Sequence, residues 1–320
     1  MEKPEKIIPS LCINYQLSEN KKSYTCRDVI LYAIGVGASQ DPNDLLDLKY
    51  TYENHEDFSV IPSFSTVITD LFENFMTFTK CPGFPEFNPM MLLHGEHKII
   101  IYKPLPTEAK VYQKCKIKSV EDKRKGALVI LLTETFDEFD GSLLCINEAS
   151  LFIRGLGGFD SKHSLEKPGD TQIVDQNIKT ITNLKTPPDF VYIKTTALNE
   201  AIIYRLSGDL NPLHIDPEMA KLGGFEAPIL HGLCTFGIAT HGIVKLACNN
   251  QPNAIYSISA RFTSPVIPGD TLKTEIWKFQ NGLENSPFLK FKTTNMSTNK
   301  ICIENGIAIL SSSYSQNSKI

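Results

Sequence analysis

Apolar residues recur along the chain in two blocks that follow the same order, helix-period stretches first and strand-like runs after them. In the C-terminal half, a short helix is predicted over 198–206 and a long one over 228–247. The second is apolar nearly all round, with Leu230, Leu233, Phe236, Ile238, Ile243, Val244 and Leu246 interleaved with Gly232, Gly237, Ala239 and Gly242. A helix without a polar face must be enclosed by other elements. Four runs rich in β-branched and aromatic residues follow, at 254–265, 271–279, 288–296 and 301–311, parted by Pro/Gly or Asn/Ser turns, and these read as strands. The N-terminal half offers a helix over 26–35, a weaker one over 62–78, and strands at 98–104, 109–120, 128–136 and 143–154.

The repetition extends to the connections. Tyr-Lys-Pro-Leu-Pro at 102–106 and Thr-Ser-Pro-Val-Ile-Pro at 263–268 each lie between a first and a second strand. Such self-similarity argues for an internal duplication. One helix followed by an antiparallel sheet able to wrap it describes a hot-dog unit, so the expected fold is α+β, a double hot dog. Its two sheets are expected to join edge to edge, covering edges that otherwise invite aggregation. The boundaries read as an N-terminal unit over 1–159, a polar, proline-bearing linker over 160–189, a catalytic unit over 190–314 and a tail over 315–320.

Composition narrows the partners. A net charge of −4 over 320 residues and the lack of a Lys/Arg block with interleaved aromatics argue against nucleic acid. No apolar run reaches the roughly 18 residues of a membrane span, and the N-terminus does not read as a signal peptide. Eight cysteines without a C-x-x-C pair read as reduced, structural thiols of an intracellular protein. The final Ser318-Lys319-Ile320 differs by one side chain from the Ser-Lys-Leu peroxisomal address, so a peroxisome is expected, through an import receptor, with the cytoplasm as the alternative.

The chemistry concentrates in Tyr204–Ala220, where Gly208-Asp209-Leu210-Asn211-Pro212-Leu213-His214 places an acid, an amide and an imidazole on one bend. Gly208 and Pro212 both resist a continuing helix, which fixes the bend between two helices. The duller reading is a turn closed by an Asx hydrogen bond. His231 reads as a catalytic group or, equally, as a packed residue orienting the corner, and is given no catalytic role; His241, inside the apolar helix, reads as a satisfied core histidine. His94 and His97 are no metal site on this reading, because positions i and i+3 of a strand face opposite sides. Arg261, Lys103 and Lys273 are weak candidates for phosphate contacts.

This segment resembles the signature of the (R)-specific enoyl-CoA hydratases, the hydratase 2 or MaoC-like dehydratase family. Asp28-Val-Ile-Leu-Tyr-Ala-Ile-Gly-Val-Gly-Ala38, Leu93-His-Gly-Glu96, Tyr102-Lys-Pro-Leu-Pro106 and Pro228-Ile-Leu-His-Gly-Leu-Cys-Thr-Phe-Gly237 look like the hydratase unit of the peroxisomal multifunctional enzyme of β-oxidation. The resemblance implies reversible addition of water to trans-2-enoyl-CoA, giving (3R)-3-hydroxyacyl-CoA, with no cofactor beyond the CoA of the substrate, no metal, and a homodimer. It implies Asp209 and His214 as the catalytic pair, Asn211 as a residue holding the pair or the water, and the Gly232 N–H as the donor to the thioester oxygen. It also marks Glu53, for which a structural carboxylate is the plainer account.

Aligning Tyr32 with Tyr204 sets Gly37 against Asp209, so the N-terminal unit is expected to be silent. Its aromatic stretch from Phe58 to Phe87 is then free to bind an acyl tail. The alternatives are a 3-hydroxyacyl dehydratase of fatty-acid synthesis, an acyl-CoA thioesterase and an inactive acyl-CoA binding module. No Gly-x-Gly-x-x-Gly precedes a helix, so no dehydrogenase unit is expected.

Overall fold

The computed structural model describes residues 3–69, 71–78, 80–88, 91–159, 186–280 and 287–311. Most of the expected linker, and the tail with Ser318-Lys319-Ile320, lie outside the described residues. The strands are β1 (Gln16–Tyr24), β2 (Leu92–Ile101), β3 (Ala109–Asp122), β4 (Gly126–Asp137), β5 (Leu143–Arg154), β6 (Phe190–Thr195), β7 (Ile255–Phe262), β8 (Thr271–Phe279), β9 (Phe288–Asn295) and β10 (Lys300–Leu310). Among the described residues they form one antiparallel sheet in the order β1-β3-β4-β5-β2-β7-β10-β9-β8-β6. The order is a palindrome when β1 to β5 are matched with β6 to β10, so two hot-dog units stand back to back in one sheet.

The units meet where β2 pairs with β7, from Glu96↔Arg261 to Ile100↔Ser257. The offset that lays Pro104 on Pro265 also lays Lys98 on Ser259, and those two residues face each other across the seam. The pseudo-two-fold axis therefore passes through that pair. The main helices are α1 (Cys26–Gly35), α2 (Leu71–Phe78), α3 (Glu200–Arg205), α4 (Pro217–Leu222) and α5 (Gly232–Ala247). Tyr32 of α1 and Tyr204 of α3, aligned by sequence, lie with ring centroids 5.9 Å apart. The sheet wraps α5 as its pattern required: Phe236, Ile238, Ala239, Ile243 and Val244 are fully buried.

Three expectations change. The helix predicted over 62–78 is broken into a 3-10 turn at Pro62–Phe64, a single turn at Ser65–Ile68, and α2, with extended backbone at Thr69. Hydroxyls in this run bond local carbonyls, Thr66 Oγ1 to Ser63 O at 2.8 Å and Thr69 Oγ1 to Thr66 O at 2.8 Å, competing with a continuous helix. The outermost strands β1 and β6 were not anticipated. β1, Gln-Leu-Ser-Glu-Asn-Lys-Lys-Ser-Tyr, carries the charge that blunts an exposed edge and so lacks an apolar stripe. Finally, α5 begins at Gly232, four residues later than predicted.

A polar clasp ties the units together. The Asp47 carboxylate, 4% exposed, accepts from His241 Nε2 at 3.0 Å, Lys245 Nζ at 2.8 Å and the Ser39 N–H at 2.9 Å. His241 is thus the satisfied core histidine that its apolar surroundings indicated. All eight cysteines are free thiols, and seven are buried.

Candidate active site

Backbone chemistry shapes the corner before any ligand enters. Gly208 sits at φ +144°, where side chains are strained, and a Cβ there would stand 3.1 Å from the Val67 carbonyl oxygen. Asp209 Oδ1 then accepts from the Asn211 N–H at 3.2 Å, and Asn211 Oδ1 accepts from the Leu213 N–H at 3.1 Å. Asn211 thereby caps the 3-10 turn Pro212–His214, and Asp216 caps α4 by accepting from the Glu218 N–H at 2.9 Å. The Asx-turn reading is therefore correct, and it is also what turns His214 inward. Asn211 commits one lone pair of its amide oxygen to the turn, and its NH₂ stays available to a guest.

His214 is 8% exposed, and its Nδ1 lies 2.8 Å from the Ile229 carbonyl oxygen. A carbonyl only accepts, so the proton sits on Nδ1, and the neutral ring keeps an acceptor lone pair on Nε2. His231 stacks on this ring with centroids 3.7 Å apart and 28° between planes, while its Nε2–H donates to the Asp209 backbone oxygen at 3.2 Å. His231 therefore braces both members of the pair, as its packed position implied. Side-chain polar atoms of Asp209, His214 and His231 all lie within 4.8 Å of one another.

Burial governs the titration of this group. It raises the Asp209 carboxyl above the ordinary range against the pull of His214. It lowers the His214 imidazole against the pull of Asp209. Burial, with the neighbouring His214 adding to it, pushes His231 down to about 2, so His231 stays neutral. An acid held up beside a base held down suits proton exchange near neutrality. The three groups suit a metal less well: stacked rings aim their in-plane lone pairs side by side, whereas a metal needs them to converge.

Gly232 opens α5 and is exposed, although most of the helix behind it is buried. As the first helical residue its N–H has no intrahelical acceptor, and the helix dipole favours negative charge there. A Cβ at Gly232 would only touch the Phe262 ring at an ordinary 3.5 Å. Internal packing therefore does not demand glycine at this place.

Other candidates fall elsewhere. Lys103 lies just beyond the far end of β2, ion-paired with Asp140 at 3.2 Å, and Lys273 pairs with Glu275 at 3.3 Å. Arg261 is exposed on β7, where it pairs across the seam with Glu96. Glu53 is exposed, with the Asn54 amide 3.4 Å away, which gives it no bracing role. His94 and His97 correct the alternation argument: the register slips between His94 and Glu96, and the two rings turn to one side, with His94 Nε2 and His97 Nδ1 3.3 Å apart. A cleft of about 240 Å³ lined by Pro62, Ile101, Tyr102 and Ile255 lies not at the corner but at the place related to it by the pseudo-two-fold. There the N-terminal unit has a 3-10 turn, Pro62–Phe64, followed by the single turn Ser65–Ile68, in place of the long helix that starts at Gly232.

Two family models match the chain, the MFE-2 hydratase 2 N-terminal domain over residues 23–155 and the MaoC like domain over residues 179–301. Among curated relatives, the chain is 41% identical to the peroxisomal enoyl-CoA hydratase 2 of Arabidopsis thaliana, covering 83% of this chain and 86% of that protein. It is 37% identical to the peroxisomal multifunctional enzyme type 2 of Mus musculus, covering 92% of this chain and 37% of that longer protein. Among solved structures, a MaoC-like dehydratase from Phytophthora capsici superposes with a TM-score of 0.78 at 32% identity, covering 93% of this chain and 95% of that one.

Proposed function

The chain belongs to the enoyl-CoA hydratase 2 family of MaoC-like proteins, and from that premise we propose that the Asp209–His214 corner carries its chemistry. The protein is a hydro-lyase that adds water reversibly to trans-2-enoyl-CoA, giving (3R)-3-hydroxyacyl-CoA in peroxisomal fatty-acid β-oxidation. The observation that carries the site assignment is the approach of Asp209 and His214 to within 4.8 Å beside the exposed first residue of α5.

In this reading a water lies between the Asp209 carboxylate and His214 Nε2. As its oxygen attacks C3, the pair takes one proton and returns one to C2 on the same face. The two groups titrate as a unit, so the role of base belongs to the pair. Charge gathers on the thioester oxygen as the C2–C3 double bond is lost, and the Gly232 N–H, fixed at the start of α5, receives it without reorganisation. Glycine at 232 lets the thioester reach that N–H. The Asn211 NH₂ holds the water or the carboxylate. Neither proton transfer calls for a metal or a redox cofactor. The N-terminal unit holds the acyl tail, and the protein works as a homodimer imported through its Ser318-Lys319-Ile320 end.

The test is incubation with trans-2-decenoyl-CoA and chiral resolution of the product. A 3R alcohol is expected. A 3S product, or free thiol without alcohol, removes the reading.

A further inference from the structure

The mechanism above leaves one buried polar group unused, and it lies one residue away from the catalytic mouth. His94 and His97 of β2 and Asn147 of β5 form a hydrogen-bonded chain inside the N-terminal unit. Its direction is set at the backbone end. The Ser65 carbonyl can only accept, so the Asn147 NH₂ donates to it at 3.4 Å, and Asn147 Oδ1 faces His97 Nε2 at 3.0 Å as an acceptor. A neutral His97 that donates from Nε2 must accept at Nδ1, where His94 Nε2 lies at 3.3 Å. Burial and the neighbouring ring keep His94 neutral, pushed down to about 3, and burial holds His97 down to about 4.

The outer end of this chain, His94, stands between two aromatic neighbours. The Phe262 ring is the group that a Gly232 side chain would touch. His94 stands edge-on to Phe262 at 5.2 Å and to Phe75 of α2 at 6.1 Å. The row Gly232, Phe262, His94, Phe75 therefore crosses the β2–β7 seam, from the place of the thioester into the N-terminal unit. Three other aromatics of this stretch pack among themselves. Phe78 and Phe84 are fully buried and pack on each other at 4.3 Å, with Phe87 against both. Half-buried Phe75 turns to His94.

We propose that His94 and Phe75 form the wall along which the acyl chain passes from the thioester into the N-terminal unit, and that the Ser65–Asn147–His97 chain fixes His94 there. This rests on the hydratase reading and adds the residues that decide chain-length preference. A histidine whose polar edge is consumed inside the protein offers its carbon edge to the substrate, and three hydrogen bonds hold that edge in one rotamer. His94 and Phe75 are then specificity residues, and Asn147 is a positioning residue that acts through His97.

The full chain and its variants His94→Ala, Phe75→Ala and Asn147→Ala are assayed for hydration of trans-2-decenoyl-CoA and crotonyl-CoA, with melting curves to establish folding. The ratio of kcat/KM for the ten-carbon over the four-carbon substrate is expected to fall about 10-fold in His94→Ala and in Phe75→Ala, equivalent to losing one or two buried methylene contacts. Asn147→Ala is expected to shift the ratio in the same direction by less. A ratio unchanged in folded His94→Ala and Phe75→Ala overturns the proposal while the hydratase assignment stands. Failure of the unaltered protein to hydrate either substrate removes that assignment instead.

Discussion

His214 Nδ1 donates to the Ile229 carbonyl oxygen across 2.8 Å, which ties the Asp209–His214 bend to the approach of the helix carrying Gly232. One hydrogen bond thus sets the tautomer of the imidazole and holds it to the segment that leads into that helix. Sequence neighbours of His214 contribute nothing to that bond, because Ile229 lies 15 residues away.

Asp209→Asn and His214→Gln each change little volume, so both variants should fold. Each is expected to lower kcat/KM by at least ~10²-fold, the usual worth of a positioned acid or base. The double variant should lose little more than either single one, because the residues act as one unit. Retained activity in both single variants would falsify the corner.

The pH profile follows from the directions of the shifts. His214 is held below its ordinary value and Asp209 above its own, both mainly by burial, so the two groups titrate as one unit. kcat/KM should fall on the acid side as the pair takes up a proton, and a pH–rate profile checks it. The raised Asp209 value also means that its ionised form costs the folded state stability above the unfolded carboxyl value of about 3.9. Asp209→Asn should therefore melt higher than the unaltered protein at pH 7, and the gain should vanish near pH 4. A lower Tm at pH 7 would contradict this.

Two glycines of α5 should respond oppositely. At Gly237 a Cβ would meet Val36 Cγ1 at 2.5 Å and the Tyr32 hydroxyl at 2.8 Å, so Gly237→Ala should cost about 1–3 kcal/mol by overpacking the contact between helices. At Gly232 a Cβ has only ordinary contact with Phe262, so Gly232→Ala should change stability by less than about 0.5 kcal/mol. It should nevertheless lower kcat/KM at least ~10-fold by filling the approach to the N–H. Denaturant melts and steady-state kinetics on the same samples separate the two effects.

The clasp at Asp47 gives a stability signature. Burial alone would raise this carboxyl, but the bonds from His241, Lys245 and the Ser39 N–H outweigh it and hold it well below the ordinary carboxylate range. A depressed folded value means that the clasp stabilises fully above the unfolded value of about 3.9 and loses its contribution as pH falls below that point. Asp47→Ala should cost about 3–5 kcal/mol at pH 7, because it strands buried partners. Its difference in Tm from the unaltered protein should shrink steadily below about pH 4, and a difference independent of pH would remove the electrostatic account.

Much of the fold was legible because local physics wrote it. The run from Leu230 to Leu246, without a polar face, required a wrapping sheet, and the paired proline turns at 102–106 and 263–268 announced the duplication. Hydroxyl competition that breaks the 62–78 helix is also a local effect, but its outcome depends on which carbonyls the hydroxyls reach. Edge strand β1, rich in charge, left no apolar stripe to read, whereas β6, Phe190-Val191-Tyr192-Ile193-Lys194-Thr195, does carry a β-branched and aromatic run.

From the residues alone came an acid, an amide and an imidazole on one bend, Asp209, Asn211 and His214, and a second unit lacking the same groups; the resemblance added Gly232, and the structure put it at the helix start. Only the tertiary structure decided the directions. It chose the tautomer of His214 through Ile229, bonded the Asn211 oxygen into a turn, stacked His231 on the pair, and slipped the register between His94 and Glu96 so that two histidines met on one side. Pattern reports which residues are present and how often they recur. Hydrogen-bond direction and ring orientation depend on partners brought from far along the chain, which no spacing encodes.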